Sequence, residues 1–264
     1  MPKKRQTVRR PRNGRPSPRG ADDALIRSFA VDHSAGWTIP WHEHTWHQLA
    51  YASSGVIGVR TESGLWIVPP CRGVWIPAGL RHSIEIGGPV TVRTLYVRPG
   101  ASRALPRTCM AVNVSPLLRE LILHVVGLGT LSGRIPEQRR LAALLLDQLQ
   151  GLPSVALQLP MPTDSHARAA ADRLYRRPDD VGLLNHLPAE LGVSRRTLER
   201  RFRAETSMTL GKWQQLARHI HAIRLLASGE SVTDAALGVG YESISAFIAA
   251  FKRFFGTTPA RYFD

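Results

Sequence analysis

The chain has 264 residues, 43% of them hydrophobic and 21% charged, which is enough to build one large or two small packed domains. Lys plus Arg is 35 against 20 for Asp plus Glu, and the net charge of +15 points to a polyanionic partner, nucleic acid being the usual one. No run approaches the roughly 20 apolar residues that span a bilayer, no apolar stretch follows Arg9-Arg10 to make a targeting signal, and Cys71 and Cys109 are too few for a disulfide scaffold, so a reduced, cytoplasmic protein without membrane contact is expected.

Residues 1–22 form a basic arm holding Lys3, Lys4, Arg5, Arg9, Arg10, Arg12, Arg15 and Arg19. It carries almost nothing apolar, cannot bury a core and is expected to be disordered. Two readings stand for it: a nonspecific phosphate-binding arm, or a solvated tail. Residues 23–113 read as β structure. Gln48–Ala52, Val56–Arg60, Leu65–Val68 and Val90–Val97 are short apolar runs separated by Ser54-Gly55, Ser63-Gly64, Pro69-Pro70 and Gly87-Gly88-Pro89. Many short strands with regular turn signals make a sandwich or barrel. Residues 114–160 switch to helical spacing, first at Leu117, Leu118, Leu121, Ile122 and Val125, then at Leu141, Leu144, Leu145 and Leu149. Ser115 and Pro116 suit the first helix start. These stripes pack either on the barrel or against a second subunit. Residues 151–163 read as a linker, and 161–264 as an all-helical unit.

Within that unit, Leu187 to Phe202 reads LPAELGVSRRTLERRF. One helix ends near Gly192, and Ser194 caps the next. Leu198 and Phe202 face inward, while Arg196, Glu199, Arg200 and Arg203 share the outer face. A helix with an apolar back and a guanidinium-rich front suits the major groove, where Arg bonds guanine or holds phosphate. Glu199 either accepts from cytosine or shields an Arg neighbour. The same grammar recurs at Val232 to Phe255, with Ala236 four residues before the turn glycine Gly240. Phe247, Phe251 and Phe254 form the back of its second helix. Ser245, Ala246 and Ala249 are expected near base edges, and Lys252 and Arg253 near phosphates. Trp213, Leu216, Ile220, Ile223, Leu225 and Leu226 fit a long helix joining the two units.

Residues 165–264 resemble the AraC/XylS family of transcription regulators. The resemblance rests on Leu191-Gly192-Val193-Ser194, Arg196-Thr197-Leu198, Glu205-Thr206, Trp213, Arg218, Gly240-Tyr241-Glu242-Ser243, Ser245-Ala246-Phe247 and the ending Phe255-Gly256-Thr257-Thr258-Pro259. It implies a sequence-specific factor that binds promoter DNA, with base-reading positions at Arg196, Glu199 and Arg200 and at Ile244, Ser245, Ala246, Ile248 and Ala249. It also implies a homodimer, and RNA polymerase as a partner if the protein activates. Three residues depart from the family pattern. Pro188 replaces the usual Ala and is tolerable where its helix begins nearby or kinks. Ser207 replaces Gly, so its turn is expected to be strained. Ala249 replaces an Arg common among relatives, leaving the second unit fewer polar base contacts.

The stretch His42 to Gly55 reads H-x-H-x3-Q-x6-G, and Trp75-Ile76-Pro77-Ala78-Gly79-Leu80-Arg81-His82 follows it. This pair resembles the two motifs of the cupin barrel. The resemblance places a divalent-metal site at His42, His44, Gln48 and His82, with Gln48 where a carboxylate is usual. His42 and His44, two apart on a strand, would point to one face; His47 would point away. The open alternative is a set of hydrogen-bonded histidines lining an apo pocket. Trp37, Trp41, Trp46, Trp66 and Trp75 could wall a site for a small aromatic or amphipathic effector, with at least three of them expected in the core.

The combined expectation is a multidomain chain, an all-β cupin sensor followed by an all-α domain with two helix-turn-helix units, that regulates transcription in response to a small ligand or metal. Two alternatives stand beside it: a metal-dependent cupin enzyme fused to a DNA-binding domain, and a nonspecific architectural DNA binder using the arm.

Overall fold

Alternating apolar residues between Gly- and Pro-marked turns make the first half of the chain fold as strands. The computed structural model describes residues 23–33, 37–70, 72–86, 88–102, 104–151 and 157–263; the basic arm and Cys71 lie outside them. Nine strands come first: β1 (Ala24–His33), β2 (Trp37–His42), β3 (His47–Ser54), β4 (Ile57–Thr61), β5 (Gly64–Val68), β6 (Arg72–Ile76), β7 (His82–Ile86), β8 (Val90–Val97) and β9 (Met110–Asn113). Two short strands, β10 (Thr130–Ser132) and β11 (Gln158–Pro160), join later. They form two antiparallel sheets, in the orders β10-β1-β8-β3-β6-β9 and β11-β5-β4-β7-β2.

Both sheets are covered on both faces, which is why so many of their strands are apolar throughout. Ala50, Ala52, Val74 and Ile76 of the first sheet meet Ile57, Val59, Trp66, Val68, Ile84 and Ile86 of the second in one core. On the outer face of the first sheet, Leu49, Tyr51, Trp75, Leu95 and Val97 pack under two helices, α1 (Pro116–Leu128) and α2 (Pro136–Gln150). Those helices bury Leu118, Ile122, Val125, Leu145 and Leu149 against the barrel and leave Leu117, Leu128 and Leu144 exposed. The Ser115 hydroxyl accepts the Leu118 N–H and caps α1, as its sequence implies.

Six helices follow: α3 (Ser165–Arg176), α4 (Leu183–Glu190), α5 (Arg195–Thr206), α6 (Leu210–Ala227), α7 (Val232–Gly238) and α8 (Ile244–Phe255). Each of α5 to α8 starts at a Ser or Thr whose hydroxyl accepts a free N–H of the first turn: Ser194, Thr209, Ser231 and Ser243. The outer face of β5 lies against this helical half. Leu65 and Ile67 are fully buried in a core with Leu174, Trp213 and Ile220, and burying such a side chain stabilises by about 2 kcal/mol. Beside them, Arg60 pairs with Glu85 of β7 at 3.0 Å and with Asp172 of α3 at 3.4 Å. Its guanidinium and that of Arg224 lie over the Tyr175 ring, at 5.8 and 5.5 Å.

Several expectations are corrected. The stretch read as a linker contains β11, which pairs with β5, and Leu157, Leu159 and Met161 are buried. Alternation of apolar and polar residues survives there despite the prolines, because a strand at a sheet edge tolerates a missing donor. Two tryptophans, not three, belong to the core: Trp66 and Trp75 are buried, Trp37 and Trp41 are exposed, and Trp46 is half-buried under the Arg27 guanidinium. Strand β2 stops at His42, so His44 lies in the following turn and not on a strand. Pro188 falls inside α4, which begins at Leu183. It is the sixth of the eight residues of this helix, so the bond its N–H would make to the Leu184 carbonyl is lost, and only two residues of α4 follow it.

Ser207 has φ +58°, the one non-glycine residue with positive φ among those described. The left-handed region costs a residue with a Cβ about 1–2 kcal/mol. Glycine would relieve that, offset in part by its larger unfolded-state entropy. Ser207→Gly is therefore expected to stabilise by about 0.5 kcal/mol and raise the thermal midpoint by about 1–2 °C.

Candidate functional site

The two helix-turn-helix units occupy opposite ends of α6, an 18-residue helix about 27 Å long. In the first, α4 ends at Glu190, the chain turns at Gly192, and α5 follows. Leu198 and Phe202 are fully buried, and the Phe202 ring meets Trp213 edge-on at 5.7 Å. Arg196, Arg200 and Arg203 are exposed on the opposite side of α5. Glu199 is half-buried, and its carboxylate accepts the Leu210 N–H at 3.3 Å. That bond holds the first turn of α6 against α5, a role its sequence position does not reveal. Glu205 does similar work. It accepts N–H groups of Thr163 and Asp164, fixing the chain where it enters the helical half.

In the second unit, α7 and α8 meet at Gly240. Ala236 is fully buried and its carbonyl accepts the Tyr241 N–H at 3.0 Å. Phe247 and Phe251 are buried; Phe254 is half-buried. Ile244, Ser245, Ala246, Ala249, Lys252 and Arg253 are exposed, whereas Ile248 is half-buried against the core. His219 of α6 sits inside this aromatic cluster, stacked on Phe247 at 5.8 Å and beside Phe254 at 4.9 Å. Its Nδ1–H donates to the Gln215 carbonyl, and the Tyr241 hydroxyl donates to its Nε2.

Burial pushes the His219 pKa down from 6.5 to about 4. The unfolded chain therefore takes up this proton first. The stability contribution is complete above pH 6.5 and is lost as the pH falls toward the folded value. The unfolding free energy is expected to drop by about 2 kcal/mol from this group between pH 6.5 and 5. Denaturant midpoints across that range, with His219→Phe giving a shallower slope, test it.

At the barrel's rim, the predicted ligand residues come together. His42 and His82 are cross-strand partners on β2 and β7. Ring centroids lie 4.3 Å apart for His42–His82, 5.0 Å for His44–His82 and 6.0 Å for His42–His44. One nitrogen from each falls within 4.8 Å of the others. The Nδ1 of His42, His44 and His82 bonds the carbonyl of Pro40, Trp46 and Leu80 respectively, each two residues away. For His42 and His82, donation from Nδ1 fixes the tautomer that leaves Nε2 as the lone-pair nitrogen. His82 Nε2 is buried without a hydrogen-bond partner among the described residues. Gln48 is buried and its Oε1 lies 2.8 Å from His44 Nε2. Burial drives the His82 pKa to about 4 and lowers that of His42, so both are neutral near pH 7, as a metal ligand must be. His47 stands apart, stacked on Trp75 at 5.3 Å, with its Nδ1 accepting the Ala78 N–H. Three convergent imidazoles and an amide oxygen thus suit a divalent transition ion.

A barrel with a convergent imidazole cluster, joined to paired helix-turn-helix units whose second helices expose cations, defines a DNA-binding regulator with a sensor domain. Two family models match the chain, an AraC-like ligand binding domain over residues 29–177 and a helix-turn-helix domain over residues 187–264. The HTH-type transcriptional regulator NimR of Escherichia coli is 35% identical over 225 residues, spanning 85% of this chain and 82% of that protein. RipA of Corynebacterium glutamicum is 35% identical over 103 residues, 39% of this chain and 31% of its own length. The structure of ToxT from Vibrio cholerae aligns over 92% of this chain and 95% of that one, at 12% identity and a TM-score of 0.38. The chain belongs to the AraC family of transcriptional regulators.

Proposed function

We propose that residues 161–264 read an asymmetric promoter site through α5 and α8, and that the barrel reports a small ligand or a divalent metal to them. The observation that carries this is the exposure of Arg196, Arg200 and Arg203 on one unit and of Ser245, Ala246, Ala249, Lys252 and Arg253 on the other, at the two ends of one rigid helix. Arg196 and Arg200 read bases, Arg203, Lys252 and Arg253 hold phosphates, and Ser245, Ala246 and Ala249 lie along base edges with Ile244 at the helix start. Glu199 and Ile248 support the helices that carry them. The protein acts in the cytoplasm, as a regulator and not as an enzyme. It works as a homodimer, for which Leu117, Leu128 and Leu144 offer exposed apolar surface. RNA polymerase is the further partner if it activates.

The route from sensor to reader runs through β7. Its inward side chains include His82, and its outward Glu85 holds Arg60, which reaches Asp172 of α3. A ligand that binds one arrangement of β7 better than another shifts the population of DNA-competent states.

Selection of bound sequences from a random duplex pool tests the reading. The full chain is expected to enrich two short blocks about one helical turn apart. Arg200→Ala should cost about 1–3 kcal/mol and relax the preference at one base pair. Equal binding to every duplex at physiological salt would overturn the assignment.

A further inference from the structure

Beside the histidine cluster, but outside it, lies a cavity of about 460 Å³. Ligand sites fall in the range of about 300–1,000 Å³. Trp66, Ala78, Leu80 and Cys109 supply apolar surface; Ser63, Thr108, Arg107 and Gln158 supply polar groups. Among the described residues, no Asp or Glu lines it. Arg107 is exposed and makes no ion pair among the described residues. Cys109 is half-buried and burial pushes its thiol up to about 12, so it adds an apolar, uncharged surface and no competing anion. A concave apolar wall with one unpaired guanidinium at its edge favours a flat or apolar body carrying a single negative group.

We propose that this cavity is an effector site for a small amphipathic anion such as an aromatic carboxylate or sulfonate, with Arg107 taking the charge and Trp66 the apolar body. The inference rests on the reading of the barrel as a sensor and gives that sensor a ligand class.

The cavity's walls connect to both halves of the protein. Residues 77–80 are tied to the histidine cluster at two points and to the neighbouring His47 at a third. The Gly79 N–H donates to the His44 carbonyl at 2.9 Å, the Ala78 N–H donates to His47 Nδ1 at 3.1 Å, and the Leu80 carbonyl accepts the His82 Nδ1–H at 2.8 Å. Gln158 of β11, the strand that leads into α3, also lines the cavity. Two residues on, the Pro160 carbonyl accepts the Trp213 indole N–H at 2.7 Å, and Trp213 packs on Phe202 of α5. An anion held by Arg107 in this cavity therefore lies beside the strand that anchors the first DNA-reading unit.

Two fluorescent probes sharing one aromatic body test this: 1-anilinonaphthalene-8-sulfonate, an anion, and N-phenyl-1-naphthylamine, which is neutral. The full chain is expected to bind one anion per cavity. Arg107→Glu should weaken the anion at least about tenfold and leave the neutral probe within about twofold. Ala78→Phe, which fills the space, should weaken both about tenfold. Thermal melting reports whether each variant is folded, and Arg107→Gln replaces the Glu variant where it is not. Anion binding unchanged by loss of the Arg107 charge overturns the proposal, as does either probe binding undiminished to Ala78→Phe. If those results came from a chain that still selects its duplex sequence, the effector site would fall and the regulator assignment would stand.

Discussion

Gly240→Ala is expected to destabilise the second helix-turn-helix unit by about 3 kcal/mol and to weaken promoter binding in step. Two separate costs add. Gly240 has φ +79°, a conformation that charges any residue with a Cβ about 1–2 kcal/mol. A Cβ there would also lie 2.7 Å from the Asp179 carbonyl oxygen and 3.1 Å from its Cα, both backbone atoms that cannot swing aside. Overpacking of that kind costs about 1–3 kcal/mol. The turn must then shift, and α8 shifts with it, because the Tyr241 N–H on the Ala236 carbonyl is the bond that sets its entry. Gly192 provides the control in the first unit. It has φ +66° and nothing within 4 Å of a built Cβ, so Gly192→Ala carries the backbone cost alone. Denaturant unfolding should separate the two variants by about 2 kcal/mol. Equal losses would mean that Asp179 yields freely and that the close approach has no energetic weight. For DNA, the salt dependence of binding should flatten in Gly240→Ala if, as proposed, Lys252 and Arg253 hold phosphates, since the shifted α8 would release them.

The helix-turn-helix half was the more legible part of the sequence, and the reason is local. Ser194, Gly192, Leu198 and Phe202 act within a few residues of one another, so capping, turn and apolar spacing can be read in a single window. The contribution of Glu199 could not be read that way. Its partner, Leu210 N–H, lies eleven positions on, across a turn whose geometry depends on the strained Ser207. The sensor half was legible as strands and as a pair of histidine motifs, but not as a surface. Leu65 and Ile67 point away from the barrel interior, and nothing in the run GLWIV distinguishes a strand buried between two sheets from one covered by helices. The strand at Gln158–Pro160 was hidden by its prolines, which mark a linker and an edge strand equally well. Trp37 and Trp41 misled for the opposite reason: size and apolarity argue for burial, yet β2 closes its sheet at the edge and leaves them exposed. His44 reached the cluster without the strand geometry expected of it, since the turn after β2 brings it back over His82 at 5.0 Å.

The histidine cluster carries the other large expected effect. Purified protein given a divalent transition ion such as Co²⁺ or Zn²⁺ is expected to bind one per chain, and His42→Ala to weaken it by about 100- to 1,000-fold, or about 3–4 kcal/mol. The size follows from the ligand set. The Nδ1 atoms are already engaged by carbonyls, so the ring orientations need no further ordering when an ion arrives. Only His44 must exchange a bond, giving up the Gln48 amide oxygen at 2.8 Å. Removing any one imidazole leaves two and an amide, a set that holds an ion weakly. His42 is the informative position because it is half-buried, whereas His82 is fully buried and its loss would also open a cavity. Gln48→Glu should move affinity the other way, since a carboxylate both coordinates better and offsets the ion's charge. His47→Ala, outside the cluster, should leave affinity within about twofold. Binding isotherms on the four proteins, read by Co²⁺ absorption, separate the cases. Should His42→Ala and His47→Ala bind the ion equally, the three histidines would be a hydrogen-bonded wall of the barrel, and any response to an effector would have to come through the cavity next to them.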